Sequence, residues 1–396
     1  MSFASALSQH PTAADATAEV IGHALERQTD APDLAVVFCS PHHVDAFADV
    51  VGTVRSLLKP RHLIATAASG IVGGNREIED GPAVSLWTGT LGSDPEPVRL
   101  SAVRTEAGTT LQGLPKVSEP SVGGADSTSE PGGAEAGQRT LVLLCDPFSL
   151  PVTDVLDVLA ARDMRIQTIG GLASASFSPG GNLLALDDET FTDGAVGVIL
   201  SSVRTIPLVS QGCRPIGAPM VVTKSDGDQV IELAGQPALA RLQQVARQAD
   251  ADDRALLSKG VHLGVAADEH RDAFGRGDFL VRNVVGADRE AGSLSVGTPL
   301  EIGTTVQFQV RDAASADEDL RMMLAEHGDA EAALVFTCNG RGQRLFGTAH
   351  HDAELVAGAT DGTVAGMFCA GEIGPVGQRS FLHGFTASVL MFPRAG

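Results

Sequence analysis

The chain has 396 residues, too many for one ordinary domain, and 43 % of them are apolar, which excludes wholesale disorder. Acidic residues outnumber basic ones 49 to 28, and the net charge of −21 argues against binding to nucleic-acid phosphates or to anionic membranes. One tryptophan and no tyrosine, against fifteen phenylalanines, nearly exclude a base-stacking platform built on Tyr or Trp.

The five cysteines (Cys39, Cys145, Cys213, Cys338, Cys369) are odd in number, widely spread and free of C-x-x-C spacing. A disulfide scaffold or zinc ribbon is therefore not expected. No basic residue precedes Arg27 and no apolar stretch follows the start, so no secretory signal is expected. The charge-free stretch Gln167 to Leu186 is broken by Gly, Ser, Pro and Asn and does not read as a membrane span. The expected compartment is the cytoplasm.

In chain order, Thr12 to Arg27 reads as an amphipathic helix with Ala16, Val20 and Ala24 on one side. Leu34 to Cys39 is a continuous apolar run, the pattern of a strand buried on both faces. A helix from about His43 to Leu58 follows, stopped at Lys59-Pro60, and then a second strand, His62 to Ala67, ending in the loop Ala68-Ser69-Gly70. Further strands are expected at Ala83–Leu91 and Val98–Arg104. From Pro115 to Arg139 the only bulky apolar residues are Val117 and Val122, the composition of a flexible linker.

The first pattern then returns. Leu141 to Cys145 is a strand, Val152–Arg162 holds a helix, Arg165 to Ile169 is a strand, and Gly170-Gly171-Leu172-Ala173-Ser174 is a small-residue loop before strands near Leu183–Leu186 and Ala195–Leu200. A third copy runs from the apolar strand Ala333–Cys338 through a short helix within His351–Ala359 and the strand Thr363–Phe368 to a closing strand at Phe385–Phe392. Cys39, Cys145 and Cys338 take equivalent strand ends, which reads as internal duplication. Between the second and third copies, strands are expected at Thr205–Gln211, Met220–Thr223, Val261–Ala266, Phe279–Val284 and Thr305–Arg311. Helices are expected around Pro237–Ala249 and Ala316–His327. The fold class is α/β, with mixed sheets, covering helices and repeated strand-helix-strand-strand units in two halves.

No phosphate-loop, dinucleotide, H-E-x-x-H or G-x-S-x-G signature is present, and no cofactor is expected. His42-His43 and His350-His351-Asp352 are dense enough to ligate a metal, but helix starts and solvated turns explain them more simply, so no metal is expected. Two constellations stand out. In Cys338-Asn339-Gly340-Arg341-Gly342 a buried strand stops, glycines permit close approach, and a guanidinium suited to a carboxylate or phosphate is presented. In Cys369-Ala370-Gly371-Glu372 a carboxylate sits in the equivalent loop. Together they would suit a zwitterion, with Arg341 on its carboxylate and Glu372 on its ammonium. A structural ion pair is the plainer alternative. Ser69-Gly70 and Gly170-Gly171 admit either a ligand or a neighbouring strand, and Arg214 is a weaker anion candidate. Cys338 also reads as a nucleophile next to two arginines, with His350, His351 or His383 as base.

These motifs resemble the FIST family. The resemblance rests on Gly170–Ala173, Gln211–Gly217, Phe336–Gly342 and Gly366–Pro375, in that order. It implies a FIST N-like domain over 33–202 and a FIST C-like domain over 203–396; the N-terminal helix placed in 1–32 and the flexible insertion at 115–139 come from the chain's own pattern, and the insertion is expected to be peculiar to this chain. The resemblance also implies an intracellular sensor of small ligands such as amino acids, passing its signal to a partner protein. No catalytic residue is implied. A thiol-dependent enzyme using Cys338, and an adaptor whose glycines serve only packing, remain as alternatives.

Overall fold

The computed structural model describes residues 1–28, 30–105, 108–116, 139–271 and 273–394. Of the segment read as a linker, 117–138 lie outside the described residues, while Arg139 is already the first residue of a strand. The chain divides into two compact units. The first comprises Met1–Leu208, Met323–Leu382 and Ala387–Gly396, and the second Val209–Met322 with His383–Thr386.

The first unit holds three mixed sheets of six, seven and six strands. At the centre of each is one arrangement. Leu34–Cys39 runs parallel to His62–Ala67 and antiparallel to Val84–Thr90. Arg139–Cys145 runs parallel to Ile166–Leu172 and antiparallel to Ala195–Ser201. Ala330–Cys338 runs parallel to Thr360–Cys369 and antiparallel to Ala387–Pro393. A parallel pair needs a crossover, and the helices Phe47–Leu58, Val152–Arg162 and His351–Gly358 supply it. The continuous apolar runs follow from this burial: every residue of Leu34–Cys39 and of Arg139–Cys145 is out of water.

Alternation along the strands divides the core. Leu34, Val36 and Phe38 join Val142, Leu144, Leu334 and Phe336 in one cluster drawn from all three sheets. Ala35, Val37 and Cys39 turn the other way, onto Val20, Val50 and Val54 of the helices. Trp87 lies in the shared cluster, 5.0 Å from the Phe392 ring.

Two short elements differ from the sequence reading. The N-terminal segment read as a helix contains the helix Ala13–Arg27 preceded by a strand, Ser2–Ser8, antiparallel to Val84–Thr90. Its alternate residues Ala4, Ala6 and Ser8 are buried, a period-two pattern built from residues too small to give an apolar signal. The second is a hairpin, Ile71–Gly73 and Arg76–Ile78, which leaves the first sheet and pairs with Thr360–Cys369 of the third.

In the second unit Met220–Asp226, Gln229–Leu233, Ser293–Val296, Phe279–Asp288, His262–Ala266 and Thr305–Arg311 pair antiparallel in that order, and the last pairs with the first. The ring closes around Val222, Val230, Leu263, Leu294, Val306 and Phe308, a small barrel without free edges along this path. Among the described residues no helix is long and apolar enough to cross a membrane.

Candidate ligand-binding site

The parallel strands Ala330–Cys338 and Thr360–Cys369 end level with each other, Cys338 opposite Cys369. The chain then turns tightly. The Asn339 amide donates to the Cys369 carbonyl at 3.0 Å and the Arg341 amide to the Cys338 carbonyl at 2.8 Å. Gly342 sits at φ +59°, and a Cβ there would lie 2.7 Å from Glu79 Oε1, which accepts the Gln343 amide. Only glycine meets both demands without strain.

This turn sends Arg341 inward, where its side chain is fully buried. Nε donates to Asp352 Oδ2 at 2.7 Å and Nη2 to Oδ1 at 2.9 Å, a forked charge-assisted pair. The Thr337 hydroxyl donates to Oδ2 at 2.7 Å, and His351 Nδ1 lies 3.0 Å from Oδ1. Burial pushes the Asp352 carboxyl up, but the Arg341 charge and the hydrogen bonds outweigh it and hold the group well below the usual range. Burial likewise opposes the Arg341 charge, and Asp352 reverses the effect, so the guanidinium is held more firmly protonated. Arg341 Nη1 is buried without a hydrogen-bond partner among the described residues.

Glu77 reaches the same cluster from the hairpin. Its Oε1 accepts the Ala353 amide at 3.0 Å in the first turn of the helix His351–Gly358, whose own N-cap residue makes no side-chain cap. A carboxylate from a distant strand thus caps that helix. Burial, and the Asp352 charge next to it, push Glu77 up to about 7.

The N-terminal loops flank the turn. Ser69 donates its hydroxyl to Asn339 Oδ1 at 2.7 Å and its amide to Ser174 Oγ at 2.9 Å, and Ser174 donates to the Phe368 carbonyl at 2.6 Å. The Phe368 amide donates to the Gly70 carbonyl at 2.9 Å. Gly171 pairs with Glu372 across antiparallel strands, and the Leu172 amide donates to the Gly371 carbonyl at 2.8 Å. Of the residues singled out in the sequence, Ser69, Gly70, Gly170, Gly171, Cys338, Asn339, Gly340, Arg341, Gly342, Gly371 and Glu372 are therefore in one unit on adjoining loops and strand ends, although Gly170 and Gly171, read as a loop, lie within the strand Ile166–Leu172, and Glu372 opens the strand Glu372–Val376.

Three readings change. The space beside Gly70, Gly170 and Gly171 is filled by the protein itself: a Cβ would meet the Phe368 ring at 2.7 Å, the Leu143 carbonyl at 1.9 Å and Cys369 Sγ at 2.3 Å respectively. The carboxylate that Arg341 was expected to take from a ligand is on two of its nitrogens already supplied by Asp352. Arg214 belongs to the second unit, where it donates to Asp312 at 2.6 Å and pairs with Asp253.

Residues 33–236 match the FIST N domain model and residues 238–375 the FIST C domain model. The chain belongs to the FIST family. FIST domains are associated with sensory roles in signal transduction. The chain is also 40 % identical over 390 residues to an uncharacterized protein of Mycobacterium bovis, covering 96 % of both chains. An uncharacterized protein of Mycobacterium tuberculosis is 39 % identical over 394 residues, covering 98 % of both.

Within this FIST protein the thiols differ. Cys39, Cys145, Cys213 and Cys369 are buried, and Cys338 is half-buried. Burial pushes Cys39 up to about 12 and Cys145 higher still. Cys338 Sγ accepts the Gly340 amide at 3.4 Å. Of the histidines considered as its base, His350 Nδ1 accepts the Glu77 amide, His351 is turned to Asp352, and His383 belongs to the second unit. Sequence reasoning overlooked Glu77, gave Thr337 and Ser174 no partner although both stand in the motifs it singled out, and read Asp352 only as part of a histidine cluster. The signal for Asp352 was its place in the first turn of a helix following a buried arginine turn.

Proposed function

We propose that this FIST protein is a cytoplasmic sensor that binds a small zwitterionic metabolite, an amino acid or a close relative, and passes the signal to a partner protein. The observation that carries the reading is Arg341: a fully buried guanidinium with two nitrogens on Asp352 and Nη1 lacking a hydrogen-bond partner among the described residues. A buried donor left unmade costs about 1–3 kcal/mol, so such groups call for a partner. Glu372, equally buried, is near enough for its charge to act on Arg341. Nη1 would take the ligand's carboxylate and Glu372 its ammonium. The half-exposed polar edge of Ser69, Cys338 and Asn339 at the carboxyl ends of the strands supplies the approach.

A thermal-unfolding screen against amino acids and keto acids, followed by the fluorescence of Trp87, tests this. A ligand at a hundredfold its Kd adds about 2.7 kcal/mol, a rise in Tm of about 5–10 °C. Glu372→Gln should then weaken amine-bearing ligands roughly ten- to a hundredfold and spare keto acids. No shift with any compound would overturn the proposal.

A further inference from the structure

The strand ends under the candidate site bring two thiols together. Cys338 and Cys369 are in-register partners on neighbouring parallel strands. Adjacent strands lie about 4.8 Å apart, inside the roughly 4.4–6.8 Å between Cα atoms that a disulfide spans. Alternation places both side chains on one face. Ala332, Leu334 and Phe336 of the first strand share a core cluster with Ala365, Met367 and Cys369 of the second, and Cys338 follows Phe336 by two residues. Their accessibilities are complementary, with Cys338 half-buried and Cys369 sealed. Cys338 Sγ accepts the Gly340 amide and lies close enough to Arg341 for the two groups to interact. Cys369 Sγ packs where Gly171 has no side chain, so the second thiol is kept from direct attack.

We propose that Cys338 and Cys369 are a peroxide-responsive pair that closes into a cross-strand disulfide. The Cys338 thiolate attacks one oxygen of hydrogen peroxide, the O–O bond breaks, and the departing hydroxide takes a proton, leaving a sulfenic acid and water. Cys369 Sγ then attacks the sulfenic sulfur. An S–S bond forms, the S–O bond breaks, and the hydroxide leaves as water with the Cys369 proton. Two thiols are oxidised by two electrons while the peroxide is reduced to two waters, and an external dithiol reverses the change. The crosslink ties together the strand ends from which the Arg341 and Glu372 loops depart, so it would lock the candidate site. The reaction does not depend on a ligand, so its failure leaves the sensor proposal standing, and the converse holds.

The test is mass spectrometry of the native full-length chain exposed to hydrogen peroxide, then digested without reduction. A Cys338–Cys369 peptide, two hydrogens lighter than its parts and lost after dithiothreitol, is expected. Cys369→Ser should instead accumulate a sulfenic acid at Cys338 that dimedone traps, and Cys338→Ser should do neither. Sulfinic acid at Cys338 with Cys369 still a thiol in the wild-type chain would overturn the proposal, as would a wild-type chain in which neither residue reacts. The wild-type measurement decides it even if either variant folds poorly.

Discussion

Removing one partner of the Arg341–Asp352 pair is the sharpest perturbation the structure offers. Both side chains are fully buried and joined by two short hydrogen bonds. Arg341→Met leaves a carboxylate in the interior with the Thr337 and His351 contacts but no guanidinium, and with Glu77 nearby. Asp352→Asn leaves the guanidinium without its anion. Each should cost about 3–5 kcal/mol, because the survivor keeps its desolvation penalty and loses its compensation. The double change Arg341→Met/Asp352→Leu replaces the pair with apolar bulk and should recover most of that loss, giving a coupling energy of at least about 2 kcal/mol. Trp87 is the only tryptophan and is fully buried in the first unit, so its fluorescence during urea titration reports that unit by itself. Single changes costing less than about 1 kcal/mol, or a double change equal to the sum of the singles, would refute the reasoning.

Glu77 makes stability depend on pH with a definite sign. Its folded pKa of about 7 stands above the ordinary 4.5, so the stabilising proton is fully bound below 4.5 in both states and the advantage is lost as pH rises through 7. The first unit should weaken by about 3 kcal/mol over that window, with Asp352, Glu79 and His351 as the other charges acting on the group, and Glu77→Gln should flatten the profile. Gly171→Ala drives a methyl to 2.3 Å from Cys369 Sγ and should cost about 1–3 kcal/mol in the same titration. Native alkylation with iodoacetamide should modify Cys338 first, while Cys39, Cys145 and Cys369 react only on unfolding.

What could be seen in the sequence was what local pattern encodes. The three apolar runs ending in Cys39, Cys145 and Cys338 mark the central strands because burial on both faces leaves no polar position in them except Thr337, which is paired with Asp352. The glycine-flanked Arg341 at the end of an apolar run pointed to the candidate site, and the structure gives Gly342 a positive φ and a close Glu79 carboxylate. Partners across the fold were not visible. Asp352 meets Arg341 from the start of the next helix, and Glu77 arrives from a strand of three residues. Nothing in the spacing of Ser69 says that its hydroxyl will bond to Asn339, 270 residues on. Gly70 and Gly171 were ambiguous for the same reason: a strand and a ligand need the same gap, and only the neighbouring Phe368 and Cys369 decide. The return of Met323–Leu382 to the first unit was equally hidden, since it depends on pairing between Ile71–Gly73 and Thr360–Cys369.

The central claim is that the loops carrying Arg341 and Glu372 hold a small zwitterion. Titration calorimetry of the full chain with the compound giving the largest thermal shift tests it most directly, with Glu372→Gln and Asn339→Ala alongside. The account predicts saturable binding at one site, weakened roughly ten- to a hundredfold by Glu372→Gln when the ligand carries a free amine, and weakened by Asn339→Ala. Binding of equal strength in all three proteins, or no binding by any amino acid or keto acid, would contradict it.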